Sequence, residues 1–187
     1  DGSTCKTPDT KENRKKFGLP GASRGRAAYP QLRVATLVDI GTRIVSALKY
    51  GPYKTSEIAL AWLLLPFLPE SSLVLMDRYF FAYDLMWDIW QKQKRDFLVR
   101  MPSKIKPEIL YRIGRGDYMV EVKIPRYYRK DRPDMPKTWR LRMIVYQPPK
   151  AKKPIRLLTS LTAQKIEGVE IEALYHDRWD VETCIDE

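Results

Sequence analysis

The hydrophobic and polar positions alternate in two distinct styles along the chain, and the change falls near Lys104. Residues 1–31 are rich in Gly, Pro and Lys and keep no period, which predicts a short strand followed by a long loop. Leu32 to Ile40 and Thr42 to Tyr50 are apolar, β-branched runs separated by Gly41, a hairpin pattern. Thr55 or Ser56 with Glu57 opens an apolar helix reaching about Leu68, where Pro66 and Pro69 end it. Ser72 to Met76 is a short, wholly apolar run ending in Asp77, as expected of a central strand covered on both faces. Leu85, Met86, Ile89 and Trp90 then repeat at helical spacing within Ala82 to Gln93, and Phe97 to Met101 predicts another strand.

From Lys104 onward the pattern becomes short alternating strands set among Pro and basic residues: Tyr118 to Ile124, Trp139 to Gln147 and Ile155 to Leu161. A helix begins at about Val169. The order strand, hairpin, helix, strand, helix, strand predicts an α/β fold, and the block after Lys104 is too long and too different for a simple loop. The expected organisation is therefore a core over 1–103, a basic β-rich insertion over 104–162, and a final helix over 163–187 that completes the core.

Charge sharpens this partition. The chain has 187 residues, 34 Lys and Arg against 23 Asp and Glu, and a formal charge of +11. With 44% hydrophobic residues it has enough apolar side chain for a packed core, which excludes wholesale disorder. Residues 104–156 hold sixteen basic and five acidic groups, whereas residues 157–187 hold two and eight. The basic character thus belongs to the insertion, a composition suited to a polyanion. The competing reading of such a block is a solvated edge surface in which Lys and Arg discourage aggregation.

Only Cys5 and Cys184 are present, and no signal peptide pattern occurs, so a reduced, cytoplasmic setting is expected. The longest apolar run, Ile58 to Leu68, is too short to span a bilayer, and no membrane partner is expected. One His and two Cys do not complete a Cys/His zinc cluster. His176 and Cys184 lie too far apart on a helix for a direct hydrogen bond, which argues against a thiol nucleophile with its base. Because the sequence starts at Asp1 rather than Met, a fragment or processed chain is expected.

Three carboxylates stand out by context. Asp1 opens the chain in DGST, Asp77 ends the most apolar strand in LVLMDRYF, and Glu182 lies on the last helix in YHDRWDVE. A carboxylate at the carboxyl end of a buried strand is where open α/β sheets place ligand chemistry, and several converging would suit a hard cation such as Mg²⁺. Asp77 taken alone reads equally as a helix N-cap. Tyr175, Arg178 and Glu182 fall at i, i+3 and i+7, placing a phenol, a guanidinium and a carboxylate along one helix face. That face suits a phosphodiester beside a cation, and it suits equally a solvated helix with an Arg178–Glu182 pair.

The spacing Y-x2-R-x3-E at Tyr175, Arg178 and Glu182, with Trp179 just after the Arg, resembles the tyrosine, arginine, glutamate, lysine motif of bacterial insertion-sequence DDE transposases. These are the large cut-and-paste group with a β-rich insertion. DGSTCKTPDTKENRKKFG with the later YPQLRVATLVDI, and LVLMDRYFFAYDL, resemble that family's first and second acidic motifs. The motifs occur in family order across essentially the whole chain, and the longer interval follows Asp77, where the family carries its insertion. The motif's final Lys is expected beyond Glu187. Asp9, beside Pro8, is a second candidate for the first acid.

The resemblance implies a ribonuclease-H-like mixed sheet with helices on both faces, interrupted by the β-rich insertion. It implies Asp1, Asp77 and Glu182 as catalytic ligands of two Mg²⁺ ions, with Mn²⁺ as a substitute, serving hydrolysis at transposon ends and transfer of the 3′-hydroxyl into target DNA. Tyr175 and Arg178 would contact phosphate near the cleaved end, and Trp179 would stack on a distorted or flipped base. Double-stranded DNA and a homodimer in the synaptic complex are the implied partners, near the bacterial nucleoid. In the insertion, Arg126, Arg129, Lys130, Arg140 and Arg142, with Trp139, are expected at DNA. Two rival readings stand beside this one: a catalytically silent DNA-binding protein derived from such an element, and a structural RNA binder, for which a buried strand ending in Asp77 has no purpose.

Overall fold

The structure is a computed structural model and describes residues 2–22, 25–148, 151–163 and 165–178. The described residues divide into two compact units, meeting in sequence between Leu68 and Pro69.

The first unit opens with β1 (Gly2–Lys6) and helix α1 (Lys11–Phe17), followed by a two-residue ladder of β2 (Gly21–Ala22) and β3 (Gly25–Arg26). Strands β4 (Gln31–Val38) and β5 (Val45–Pro52) form the expected hairpin. Its turn is organised by Asp39, whose carboxylate accepts from the backbone and hydroxyl of Thr42, both at 2.7 Å. The sheet order is β1-β4-β5, antiparallel throughout, with Gly2 opposite Ala35 and Leu37 opposite Ala47. Helix α2 (Glu57–Trp62), capped by Ser56, lays Leu60 and then Leu64 on Ala35, Leu37 and Ala47. It stops earlier than the periodicity predicts and tightens into a 3₁₀ turn at Leu65–Phe67, because Pro66 has no N–H to continue an α-helix.

Helix α1 replaces part of the loop expected from composition. Its only buried residue is Phe17, so it has no apolar stripe to reveal a period. Its signals are terminal instead: the Thr10 hydroxyl accepts from the Asn13 N–H at 3.2 Å, and Arg14, Lys15 and Lys16 occupy the last turn.

The second unit contains β6 (Leu73–Met76), helix α3 (Tyr83–Trp87) continuing as a wider turn over Asp88–Lys92, and β7 (Asp96–Arg100). Strands β8 (Glu108–Gly114) and β9 (Asp117–Lys123), a single helical turn α4 (Arg126–Arg129), β10 (Thr138–Tyr146), β11 (Ile155–Thr159) and helix α5 (Gly168–Asp177) follow. One mixed six-stranded sheet runs β6-β7-β11-β10-β9-β8, with β6 and β7 parallel and every other pair antiparallel. Strand β8 escapes the sequence pattern because it is the sheet edge, exposed along almost all its length, so neither face requires apolar residues.

The strand registers sort the side chains onto two faces. Leu98, Ile144 and Leu157 share one face, where Ile171 and Tyr175 of α5 cover them. Phe97 and Trp139 share the opposite face and meet Trp87 and Trp90 of the α3 segment. The chain is thus mixed α/β, with a three-stranded and a six-stranded sheet. Among the described residues no helix is long and apolar enough to cross a membrane.

Candidate functional site

Strands β6 and β7 are parallel neighbours with Met76 opposite Val99, so their carboxyl ends lie together. The first residue past β6 is Asp77, half-buried, and the last of β7 is Arg100. Asp77 is also the cap that the sequence admits: its carboxylate accepts from the N–H of Arg78 at the start of a 3₁₀ turn, Arg78–Phe80. Its other carboxylate oxygen makes no hydrogen bond among the described residues, so capping leaves a lone-pair-rich oxygen at the strand end.

Helix α5 brings Tyr175 and Arg178 to the same end of the sheet. Its N-terminus is closed by the N–H of Glu167 donating to the Glu170 carboxylate at 2.9 Å, half of a capping box. Tyr175 is 2% exposed, and its hydroxyl meets no hydrogen-bond partner at normal geometry among the described residues. Burial pushes its phenol up to about 12, while the nearby charge of Arg178 opposes the shift, that of Asp77 adds to it and that of Arg100 opposes it. Three charged groups, the Asp77 carboxylate and the Arg178 and Arg100 guanidiniums, therefore lie within electrostatic reach of the neutral Tyr175 phenol. The Arg178 guanidinium lies 5.5 Å from the Tyr175 ring centroid and is itself buried. Such a cluster can grip an anionic oxygen through Arg and offer a carboxylate to a cation beside it.

Of the expected metal ligands, only Asp77 is among the described residues; Asp1 and Glu182 lie outside them, as does Trp179. Among the described residues no three His, Cys, Asp or Glu side chains group as a cation site. Asp9, the second candidate for the first acid, is paired with Arg14 through both carboxylate oxygens at 2.5 Å, which holds its carboxyl below the usual carboxylate range.

The basic segment divides in two. Arg126 and Lys130 are exposed around the short α4 turn, and Arg129 there is half-buried with its Nε donating to the Ile124 carbonyl at 3.1 Å. Arg140 is 74% exposed, with Glu121 at 3.5 Å as its neighbour. Tyr127, next to Arg126 in the chain, is 84% exposed. By contrast, Trp139 and Arg142 turn inward. Trp139 is 6% exposed, its ring centroid 5.1 Å from Trp87 and 5.5 Å from Phe97, where burial of a large aromatic stabilises the sheet. Arg142 is 2% exposed and forms a bidentate pair with Asp117 at 2.9 and 2.6 Å. Both are buried here, whereas the sequence reading expects them at DNA.

Sequence reasoning passed over Arg100 and Asp117. Arg100 carried a visible signal, a charge at the carboxyl end of the apolar β7, the counterpart of Asp77 on β6. Asp117 carried none, since an Asp after Gly116 reads as an ordinary turn residue.

Residues 1–187 match the family profile described as "Transposase DDE domain". The chain is 28% identical over 185 residues to the Escherichia coli K12 protein named "Transposase InsG for insertion sequence element IS4", covering 97% of this chain and 41% of that protein. It is 36% identical over 93 residues to the Escherichia coli K12 protein named "Putative transposase InsZ", covering 49% of this chain and 31% of that one. The chain thus spans less than half the length of these relatives.

Proposed function

The chain belongs to the transposase DDE domain family, and on that premise we propose that it carries the catalytic centre for metal-dependent DNA strand cleavage at element ends, followed by transfer of the freed 3′-hydroxyl into target DNA. The observation that carries this reading is the placement of Asp77 at the carboxyl end of β6, within electrostatic reach of the buried Tyr175, which the charges of Arg178 and Arg100 reach as well. The element order supports a ribonuclease-H-like core: an antiparallel three-stranded sheet, then strand, helix and parallel strand. We further read residues 104–162 as the basic β-rich insertion, and 1–103 with 163–187 as the core.

The donor chemistry at Asp77 fits a hard divalent cation, since one carboxylate oxygen caps the following turn and the other meets no hydrogen-bond partner among the described residues. Asp1, Asp77 and Glu182 are the residues that would hold it, in the order of the family's three acids. Two Mg²⁺ ions held there would supply activation of the attacking oxygen and stabilisation of the leaving one.

The chain's own residues account for the rest. Arg178 offers planar donors for a phosphodiester oxygen, and the buried Tyr175 stays protonated at neutral pH and offers its hydroxyl proton to a phosphate. The exposed Arg126, Lys130 and Arg140, with the half-buried Arg129, attract the DNA backbone without reading its sequence. A homodimer that pairs two element ends, acting at the bacterial nucleoid, completes the proposal.

The test uses the full-length protein and supercoiled DNA carrying candidate ends. Cleavage that requires Mg²⁺ or Mn²⁺ and disappears in Asp77→Asn and in Glu182→Gln is the expected result. Asn retains a side-chain oxygen for the cap, so the Asp77 variant should stay folded. Undiminished cleavage in both variants overturns the assignment of the acids. Tight DNA binding with no cleavage under either metal favours the catalytically silent alternative.

A further inference from the structure

Arg142 is 2% exposed on β10, and all three of its outward-pointing nitrogens are engaged. Its Nε donates to Oδ1 of Asp117 at 2.9 Å, Nη2 donates to Oδ2 at 2.6 Å, and Nη1 donates to the Ile166 carbonyl at 2.7 Å. Asp117 opens β9 and is 5% exposed. A buried ion pair is an expensive way to join two strands, because desolvating the charges costs several kcal/mol each and an apolar pair of similar volume often does as well. Strands β9 and β10 are already joined by a seven-residue register from Thr138–Lys123 to Ile144–Asp117. The third hydrogen bond is what an apolar pair could not make. Ile166 immediately precedes Glu167, the N-cap of α5.

The first turn of α5 also lies close to the Asp117 carboxylate. A Cβ on Gly168 would lie 3.2 Å from Oδ2 of Asp117 and 3.6 Å from the Ile144 side chain, so the helix start is pressed against the carboxylate. That end of a helix also favours negative charge. On the other side, Gly116 holds φ at +70° and its carbonyl accepts from the Val145 N–H at 2.7 Å, which fixes the backbone just before Asp117.

We propose that Arg142 and Asp117 are positioning residues, an ionic clamp by which β9 and β10 of the basic segment set the placement of α5 and hence of Tyr175 and Arg178 on the six-stranded sheet. Tyr175 lies seven residues beyond Gly168, about 10 Å along the helix axis. A small tilt at the clamp therefore displaces the far end, and a misplacement of about 1 Å can cost on the order of 100-fold in rate. The placement of α5 stands on the contacts above; its effect on cleavage rests on the proposed function.

Two measurements on the full-length protein separate these. The double variant Asp117→Leu with Arg142→Met retains an apolar pair in place of the ions, and Arg142→Lys retains the charge but not the three-way grip; if the double variant fails to fold, Arg142→Lys alone is read. Hydrogen exchange by mass spectrometry should show amides of 166–178 losing at least tenfold in protection, with β7 and β11 unchanged. Cleavage should lose at least tenfold in kcat with little change in KM for DNA. Unchanged exchange in α5 overturns the clamp, whatever the activity. A raised KM at constant kcat and constant exchange also overturns it, and returns Arg142 to a direct DNA contact. If the parent protein cleaves no DNA, the proposed function fails while the exchange result still decides the clamp.

Discussion

Trp87 donates its indole N–H to Oδ2 of Asp134 at 2.9 Å, tying the α3 helix to the loop that leads into β10. Arg132 completes the arrangement, bridging Asp134 at 3.0 Å and the 3%-exposed Asp88. The basic segment is therefore fastened to the α3 face of the sheet by a polar network, beside the Trp87–Trp139 contact. The Arg132 side chain first, and the Trp87 N–H after it, hold the Asp134 carboxyl down to about 2 against the cost of burial. A carboxyl depressed in the fold contributes stability that is present above its unfolded value, about 4, and is lost as pH falls through about 2. Asp134→Asn should therefore narrow its stability deficit relative to the parent as the urea midpoint is followed from pH 5 downwards. A deficit independent of pH would show that the carboxylate charge is irrelevant.

Tyr175→Phe removes a buried hydroxyl that has no partner at normal geometry among the described residues. Such a deletion costs the metal-free, DNA-free protein little, because no hydrogen bond of normal geometry among the described residues is lost and a desolvated group is relieved. Its thermal midpoint should stay within about 2 °C of the parent, while cleavage should fall roughly 10-fold, about 1.4 kcal/mol of transition-state stabilisation. Alkaline titration adds a second readout. The phenol is raised to about 12, so its contribution is complete below the unfolded value near 10 and fades as pH rises towards 12. The Phe variant should resist alkaline unfolding better than the parent; equal resistance would place the tyrosine in solvent.

For DNA binding the structure separates residues that composition groups together. Arg126→Ala, Lys130→Ala and Arg140→Ala remove exposed charges. Each should lower the slope of log affinity against log salt by roughly one, without preference among DNA sequences. Thermal midpoints should hold, since surface changes usually stay within about 0.5 kcal/mol. A salt slope unchanged in the triple variant would reduce the patch to solvated surface.

Trp139→Ala should cost about 3–5 kcal/mol of stability, the range for deleting a large buried aromatic. Chemical denaturation followed by circular dichroism measures it. Full retention of stability would mean that the ring is not the core anchor its contacts with Trp87, Trp90 and Phe97 describe.

Gly116→Ala should destabilise the chain by about 1–3 kcal/mol, as a side chain forced into the left-handed region does. Its φ is +70°, and a Cβ there would collide with the Val145 carbonyl oxygen. A neutral or stabilising outcome in the same denaturation assay would contradict that backbone conformation.

Local chemistry made much of this legible. The position of Asp77 at a strand end is legible because a wholly apolar run ending in a carboxylate has a defined place in a parallel strand pair, and β6 beside β7 supplies that place. The hairpin of β4 and β5 and the helices α2 and α3 follow from apolar runs and periods that those elements satisfy. Helix α1 and edge strand β8 were missed for one shared reason: neither buries a full face, so neither leaves a periodic trace.

Arg140 and Arg142 mark where sequence stops and tertiary structure begins. Two residues apart on β10, they lie on the same face of the sheet, so alternation assigned them one fate. The sequence by itself determined that face, the strand and the charge. Which of the two meets solvent was decided by where α5 lies: over Ile144 and Arg142, with the Ile166 carbonyl placed to receive a guanidinium proton, and not over Arg140. Period two records which side of a sheet a residue faces. What covers that side depends on a helix more than twenty residues further along the chain, and only packing brings it there.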